Sequence, residues 1–206
     1  FEWARVTPVN LTTNPTYLSN QIVSDTSANL IGTRLLVNKG ILSQSYIGDY
    51  VIEKLDTDGN LIWQDTAIGK VSLQWLCNDR DNNIITAGVF KDTLKLQDLM
   101  LIDLSGDPIG FIIKLNSNGE ILWYKVLTAS LPDLSRIQGM TIDNQNNIWI
   151  TAVNNFQDSF IKKFNVSGDE VQSLLQANVL SISGIDVDNS GNIFVAGATS
   201  NDNQSF

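Results

Sequence analysis

The chain has 206 residues, 43% of them hydrophobic, with 13 Lys plus Arg against 22 Asp plus Glu and a formal net charge of −9. A chain of that length and composition suits a folded domain burying roughly 70% of its unfolded surface, and the acidic balance argues against nucleic acid or anionic lipid as a partner. No histidine is present, and the single cysteine, Cys77, excludes an intrachain disulfide and a thiolate metal cage, while the commonest general base and transition-metal ligand are missing.

In chain order, the first extended segment is "FEWARV", 1–6. It begins without Met, so the start is expected to be processed or cut, and a missing signal peptide says nothing. Next, Asp25 and Asn29 lead into "LIGT", and 51–63 reads "VIEKLDTDGNLIW". Cys77 lies in "LQWLCND", among large apolar residues, which points to a buried structural thiol rather than a nucleophile. Asp79 and Asn83 then lead into "IITAG", followed by an insert, 89–110, and by "FIIKLNSNGEILW" at 111–123. Asp143 and Asn147 lead into "IWITA", and 160–172 reads "FIKKFNVSGDEVQ". Asp188 and Asn192 lead into "IFVAG", and the chain closes on "SF" at 205–206. No apolar run approaches the ~20 residues a membrane helix needs.

These segments are one repeat. Asp-x-x-x-Asn followed by an apolar run occurs four times, each time with an apolar residue three positions earlier: Ile22, Leu76, Met140 and Ile185. The second signature has an apolar run with Lys54, Lys114 or Lys163, then a turn ending in Gly59, Gly119 or Gly168, then another extended segment. Trp63 and Trp123 align, Gln172 breaks the third copy, and "FEW" places Trp3 in the same position of a preceding unit. Short β-branched and aromatic runs bounded by Asp, Asn and Gly are strands joined by tight turns, so each unit holds two hairpins. Strands are expected near 138–142, 147–153, 159–164 and 170–175 in one antiparallel sheet, with almost no helix anywhere.

Four strands per unit with a period of about 45–64 residues is the arithmetic of β-propeller blades. The fold class is therefore all-β, a propeller of four-stranded antiparallel blades. About four repeats are present, near 17–66, 67–127, 135–176 and 180–206, within a single domain or fragment, and 1–6 is the outer strand of another blade. Four repeats could close a ring; a piece of a larger propeller is the preferred reading, because the last unit stops before its third strand. Ala87, Gly88, Ala152, Ala196 and Gly197 end the second strands, where backbones crowd.

"VDNSGNIFVAGATS" and "FIIKLNSNGEILWYKVL" resemble the bacterial SBBP-type β-propeller repeat, with its D-x-x-G-N-x-[FYW]-V-x-G and F-[IV]-x-K-[FL]-[DN]-x-x-G-x-x-x-W hairpins. The likeness covers most of the chain from about Ile22 onward and is weaker in the first unit, where "LIGTRLLVN" departs from the pattern. The resemblance implies a secreted or cell-surface protein, often one module of a longer chain, and no particular activity.

Each candidate site has a structural reading beside it. Asp56, Asp58 and Asn60 resemble half of a calcium loop, but the matching turns "NSNG" and "NVSG" lose the charges, so a turn is expected. Asp25, Asn29, Asp79, Asn83, Asp143, Asn147, Asp188 and Asn192, with Gly59, Gly119 and Gly168, are expected to define hairpin corners by accepting backbone N–H groups. Trp3, Trp63 and Trp123 are expected to pack between blades, the alternative being a carbohydrate-stacking platform; Trp149 and Phe194 align as inter-blade core, and Trp75 stands alone. Lys54, Lys114 and Lys163 are read as exposed strand lysines that discourage edge pairing. The insert should pair as an extended hairpin and offers Phe90, Leu94, Leu96, Leu99 and Leu101 as a contact for a protein partner. Sequons at Asn10, Asn165 and Asn203 matter only if the source glycosylates its secreted proteins.

The function expected is that of a non-enzymatic module of an extracellular or cell-surface protein, without cofactor or metal, acting in protein interaction, adhesion or structure. Its partner would be another protein or the remainder of the parent chain, with no nucleic acid and no membrane insertion. A glycan-binding module is one alternative. A non-catalytic part of a propeller enzyme, a lyase or quinone-dependent dehydrogenase, is the other.

Overall fold

The computed structural model describes residues 16–37, 48–127, 134–154, 159–176 and 179–199. Segment 1–6 with Trp3, the sequons at Asn10 and Asn203, and the closing "SF" lie outside the described residues. Among the described residues there is no helix. The strands are β1 (Thr16–Ser24), β2 (Leu30–Val37), β3 (Gly48–Leu55), β4 (Leu61–Asn78), β5 (Ile84–Leu96), β6 (Leu99–Ile102), β7 (Ile109–Leu115), β8 (Ile121–Val126), β9 (Leu134–Ile142), β10 (Ile148–Asn154), β11 (Ser159–Phe164), β12 (Glu170–Gln176), β13 (Val179–Val187) and β14 (Ile193–Thr199).

All pairings are antiparallel. The last two strands, β13 and β14, stand as a two-stranded sheet, and the strands expected between 138 and 175 form a four-stranded sheet in the order β12-β11-β10-β9. The first eight strands share one sheet, β1-β2-β3-β4-β5-β7-β8, with β6 added to β5. The reason is β4, whose 18 residues run through the 66/67 division between the first two units: its first part pairs with β3 and its second with β5. "TAIGKV" contains no Pro or Asx cluster to break it, and the register shift in its pairing with β5 falls at Gly69, at φ +133. A Cβ there would lie 2.1 Å from the Thr93 carbonyl oxygen, so only glycine fits.

A bulge recurs in the first hairpin of every unit. The pairing skips one residue of β1, of the second part of β4, of β9 and of β13. Those residues are Asn20, Gln74, Gln138 and Ser183, each five before its corner Asp. A bulge adds right-handed twist, so β1, the second part of β4, β9 and β13 share one local distortion.

Three hydrophobic clusters fill the spaces between successive units. The first joins Ile31, Tyr50 and Ile52 to Leu73, Ile84 and Phe111. The second joins Ile85 and Ile112 to Ile137, Ile148, Ile150 and Phe164. The third joins Trp149 and Ile161 to Ile182 and its neighbours. Ile84 and Ile113 therefore enter one core while Ile85 and Ile112 enter the next, as alternation along a strand buried on both faces requires.

Three expectations are corrected by this packing. Lys54 and Lys114 are not exposed: they keep 6% and 5% of their surface, because each shares a strand face with a fully buried isoleucine, Ile52 or Ile112. Lys163, on the face of Ile161, is half-buried. The 89–110 insert does form a hairpin, β5 with β6, but Phe90, Leu94, Leu96 and Leu101 are buried in the first core and Leu99 packs against it. The exposed apolar face of that hairpin carries Met100 and Ile102 instead, with Leu104 beyond it. Phe194, aligned with the buried Trp149, is 58% exposed, since no described strand covers the outer face of β14.

Candidate functional site

Three buried or half-buried lysines and the Asp residues of the repeat meet at the hairpin corners. At the first kind of corner, between the first two strands of a unit, an Asp carboxylate replaces water with protein N–H groups. Asp79 Oδ1 accepts the backbone N–H of Asp81 and Asn83, both at 2.9 Å, and Oδ2 accepts the Asn83 side-chain amide at 2.9 Å. Asp25, Asp143 and Asp188 repeat the arrangement with Ser27 and Asn29, Gln145 and Asn147, and Ser190 and Asn192. The backbone closes the turn from Asp N–H to the Asn carbonyl. The fourth residue of the corner has φ near the left-handed value: 62° at Ala28, Asn82 and Asn146, and 85° at Gly191.

The strand lysines end on these carboxylates. Lys54 Nζ lies 2.9 Å from Asp25 Oδ2, Lys114 Nζ 2.8 Å from Asp79 Oδ2, and Lys163 Nζ 3.2 Å from Asp143 Oδ2. No lysine among the described residues reaches Asp188. Around Asp143 the Trp149 indole N–H donates to the same oxygen at 3.0 Å, and Lys163 sits 4.7 Å above the indole ring. Burial pushes the Asp25 carboxyl up, but the Lys54 ammonium, the Asn29 amide and two backbone N–H groups outweigh it and hold the pKa at about 2. Asp143 is likewise at about 2: burial opposes, while Asn147, Trp149 and two backbone N–H groups prevail. Asp79 is lowered for the same reasons, with Lys114 and Asn83 overcoming its burial.

The second kind of corner, between the third and fourth strands, has the same geometry without the lysine. Asp56 Oδ1 accepts the N–H of Asp58 at 2.9 Å and of Asn60 at 2.8 Å, and Oδ2 accepts the Asn60 amide at 3.0 Å. Asn116 and Asn165 do the same with Glu120 and Asp169 as the carboxylate partner. One member of each pair is an amide and the other an acid, in either order. Both oxygens of Asp56 are thus engaged by the chain's own N–H groups, so a cation at Asp56, Asp58 and Asn60 would have to displace them. Among the described residues no group of three or more acidic, Cys or His side chains is placed to hold a metal ion.

Corners also bind one another. Asn82 accepts the Thr26 N–H at 3.0 Å and donates to its hydroxyl at 2.8 Å, reaching from the second unit to the first. Asn146 repeats this one unit on, accepting the Arg80 N–H at 3.2 Å and donating to Asp81 at 2.9 Å. The sequence signal is the doubled Asn of "DRDNN" and "DNQNN": the second closes its own corner and the first, tolerant of positive φ, ties to the neighbour. Sequence reasoning took only the second.

The aligned tryptophans also cross between units. Trp63 Nε1 donates to the Ser117 carbonyl at 3.1 Å, which also receives Lys54 Nζ at 3.2 Å, and Trp123 Nε1 donates to the Val166 carbonyl at 3.0 Å. Each indole covers the glycine of the turn it reaches: a Cβ on Gly119 or Gly168 would stand 3.0 Å from the ring. Trp75 Nε1 donates to the Ile137 carbonyl at 3.1 Å, another bond between units. Cys77 packs against the second core, and burial pushes its thiol up to about 12, so it carries no thiolate at neutral pH.

No family model and no curated protein matches the chain. Among solved structures it is similar to a protein of unknown function from Bacteroides caccae, at 11% identity and a TM-score of 0.56 over 92% of this chain and 59% of that one. A luciferin-regenerating enzyme aligns at 14% identity and a TM-score of 0.47 over 91% of this chain and 57% of that one. A calcium-binding protein, regucalcin, from Agrobacterium tumefaciens aligns at 12% and 0.46, over 89% and 55%. The chain therefore spans less than two thirds of the length of each. The first likeness is one of fold; the other two are too distant to argue from.

Proposed function

We propose that the chain is a β-propeller, or part of a larger one, with four-stranded antiparallel blades of the SBBP type. It acts as a non-enzymatic protein-interaction or structural module. The blade reading is supported by the order β12-β11-β10-β9, by the recurring bulge, and by cores that lie between successive units. The secreted or surface setting follows from the repeat resemblance alone.

The observation that carries the non-enzymatic reading is the fate of the repeat's charges. Asp25, Asp79 and Asp143 are spent on Lys54, Lys114 and Lys163, and the adjoining Asn residues on backbone and neighbouring corners. A carboxylate held near or below its usual range by a buried ammonium is a poor proton acceptor at neutral pH. The indole N–H groups of Trp63, Trp75, Trp123 and Trp149 all donate within the protein, which favours a scaffold over a glycan platform.

The test is a paired screen of the purified protein. A glycan array and a panel of polysaccharide-lyase and quinone-linked dehydrogenase substrates should give no binding and no turnover. Turnover would contradict the reading, as would a glycan signal lost in Trp123→Ala.

A further inference from the structure

The hairpin of β5 and β6 ends in an open strand edge. β6 pairs with β5 on one side, and among the described residues no strand pairs with the other. The Asp103 N–H donates to the Asp92 carbonyl at 2.8 Å, which continues the ladder in which Leu101 faces Leu94 and Leu99 faces Leu96. Antiparallel bonds alternate along a strand, so Leu99 and Leu101 spend their main-chain groups on β5, while Met100 and Ile102 turn theirs to the open edge. The edge is held in place. Leu94, Leu96 and Leu101 anchor the hairpin in the first core, and Gln97 at its tip donates to the Gly119 carbonyl at 2.6 Å and accepts the Ile121 N–H at 3.3 Å. The usual protection of an edge is missing, since β6 reads "LMLI" without lysine, proline or bulge. Met100 and Ile102 are 60% and 62% exposed, on the same face as Ile68. Lys95 shares that face but lies on β5, a strand away from the edge. Asp98 and Asp103 stand at the two ends of β6, and Asp103 Oδ2 is fixed there by the Ser105 N–H at 3.1 Å and hydroxyl at 2.6 Å.

We infer that the open edge of β6 takes an extended peptide segment of a partner protein as an added strand, and that this segment carries a cation at either end of an alternating apolar pair. The main chain of Met100 and Ile102 supplies the ladder, and their side chains with Ile68 supply the apolar face. Asp98 and Asp103 select Lys or Arg at the flanks, through charge-assisted hydrogen bonds. A second copy of the chain is the wrong occupant. Antiparallel pairing of two β6 edges sets the acid at one end of each strand against the acid at the other, and the net charge of −9 adds to the repulsion. The assignment rests on the protein-interaction reading proposed above and gives it a surface.

The probe is the capped peptide Lys-Val-Thr-Val-Thr-Lys. In antiparallel register it sets its valines beside Ile102 and Met100 and its lysines beside Asp103 and Asp98. Amide hydrogen exchange of the full chain is followed by NMR as the peptide is added to millimolar concentration. The Met100 and Ile102 amides should become protected in a saturable way, while the Leu101 amide, already bonded to β5, keeps its rate. The same peptide with Asp at both ends should bind about tenfold more weakly, because two attractions become two repulsions. Asp98→Lys should make a peptide ending in Asp the better ligand than one ending in Lys. Met100→Pro deletes an outward N–H where an edge strand accepts proline, and should abolish binding in a folded protein; Asp98→Lys, at an exposed site, tests the edge even if that variant unfolds. No saturable protection at Met100 and Ile102 overturns the inference, as does equal binding of the two peptides. Protection that rises with protein concentration in the absence of peptide overturns it too, since a second copy would then fill the edge. A failed titration strikes this surface alone, because the screen for turnover and glycan binding decides the scaffold reading separately.

Discussion

At the scale of single residues, the two kinds of corner look alike but demand different chemistry. Where a lysine ends on the corner, the acid must come first, because Lys114 reaches Asp79 Oδ2 and is itself buried. Where none does, acid and amide can trade places, as Asp56 with Asn60 and Asn165 with Asp169 already show. The double exchange Asp56→Asn with Asn60→Asp should therefore leave the melting temperature unchanged. The corresponding exchange of Asp79 and Asn83 should cost about 3–5 kcal/mol, the penalty for orphaning a buried charge. Chemical denaturation of both variants checks the contrast, and equal losses would show that lysine pairing does not set the order. Ala28 offers a second residue-scale test. It holds φ 62, which costs an alanine roughly 1 kcal/mol, so Ala28→Gly should gain about 0.5–1 kcal/mol by the same assay. The same carboxylates set the acid limb. Asp25 and Asp143 have pKa values lowered from 3.8 to about 2, so their contribution is complete above pH 4 and disappears as pH falls through 2. By linkage each should surrender about 2 kcal/mol over that interval, read as the fall in unfolding free energy between pH 4 and pH 2. Lys54→Met should shift the Asp25 titration upward and flatten that limb.

At the scale of elements, the 89–110 hairpin separates what stabilises from what does not. Leu94 is fully buried on one face, while Met100 on the other is exposed. Leu94→Ala should cost about 2–5 kcal/mol, and Met100→Ser should change stability by less than about 0.5 kcal/mol, measured by urea unfolding. The hairpin could be foreseen from "LKLQDLMLIDL", but not which face the protein itself would cover, because alternation names two faces and not their neighbours. The lysines teach the converse. Their strands alternate so that Lys54, Lys114 and Lys163 follow Ile52, Ile112 and Ile161 on one face, and that pattern was present to be read. Strand lysine is usually solvated, and that prior hid it. The Asp-x-x-x-Asn corner was legible because both partners lie within five residues, whereas the Asn82–Thr26 and Trp63–Ser117 bonds join residues far apart in the chain. The run of β4 across 66/67 was missed because nothing in "TAIGKV" marks a turn, and nothing marks its absence either.

At the scale of the whole molecule, the units are held side by side by three devices repeated from one to the next: a shared apolar core, an Asn tie between first corners, and an indole laid on the next turn. A unit buries a sheet face only where a neighbour covers it, as the exposed Phe194 of β14 shows, so stability is expected to be a sum of unit and interface contributions. This makes the inter-unit register the central claim. It is tested most directly by disulfide trapping across one interface, in a Cys77→Ala background. Thr141 of β9 and Asp186 of β13 belong to successive units and touch through a 3.2 Å hydrogen bond from the Thr141 hydroxyl to the carboxylate. The Thr141→Cys with Asp186→Cys variant should cross-link nearly completely under mild oxidation of the native protein, with its melting temperature preserved or raised. A pair that stays reduced under those conditions, while the protein remains folded, would contradict the side-by-side arrangement of the units.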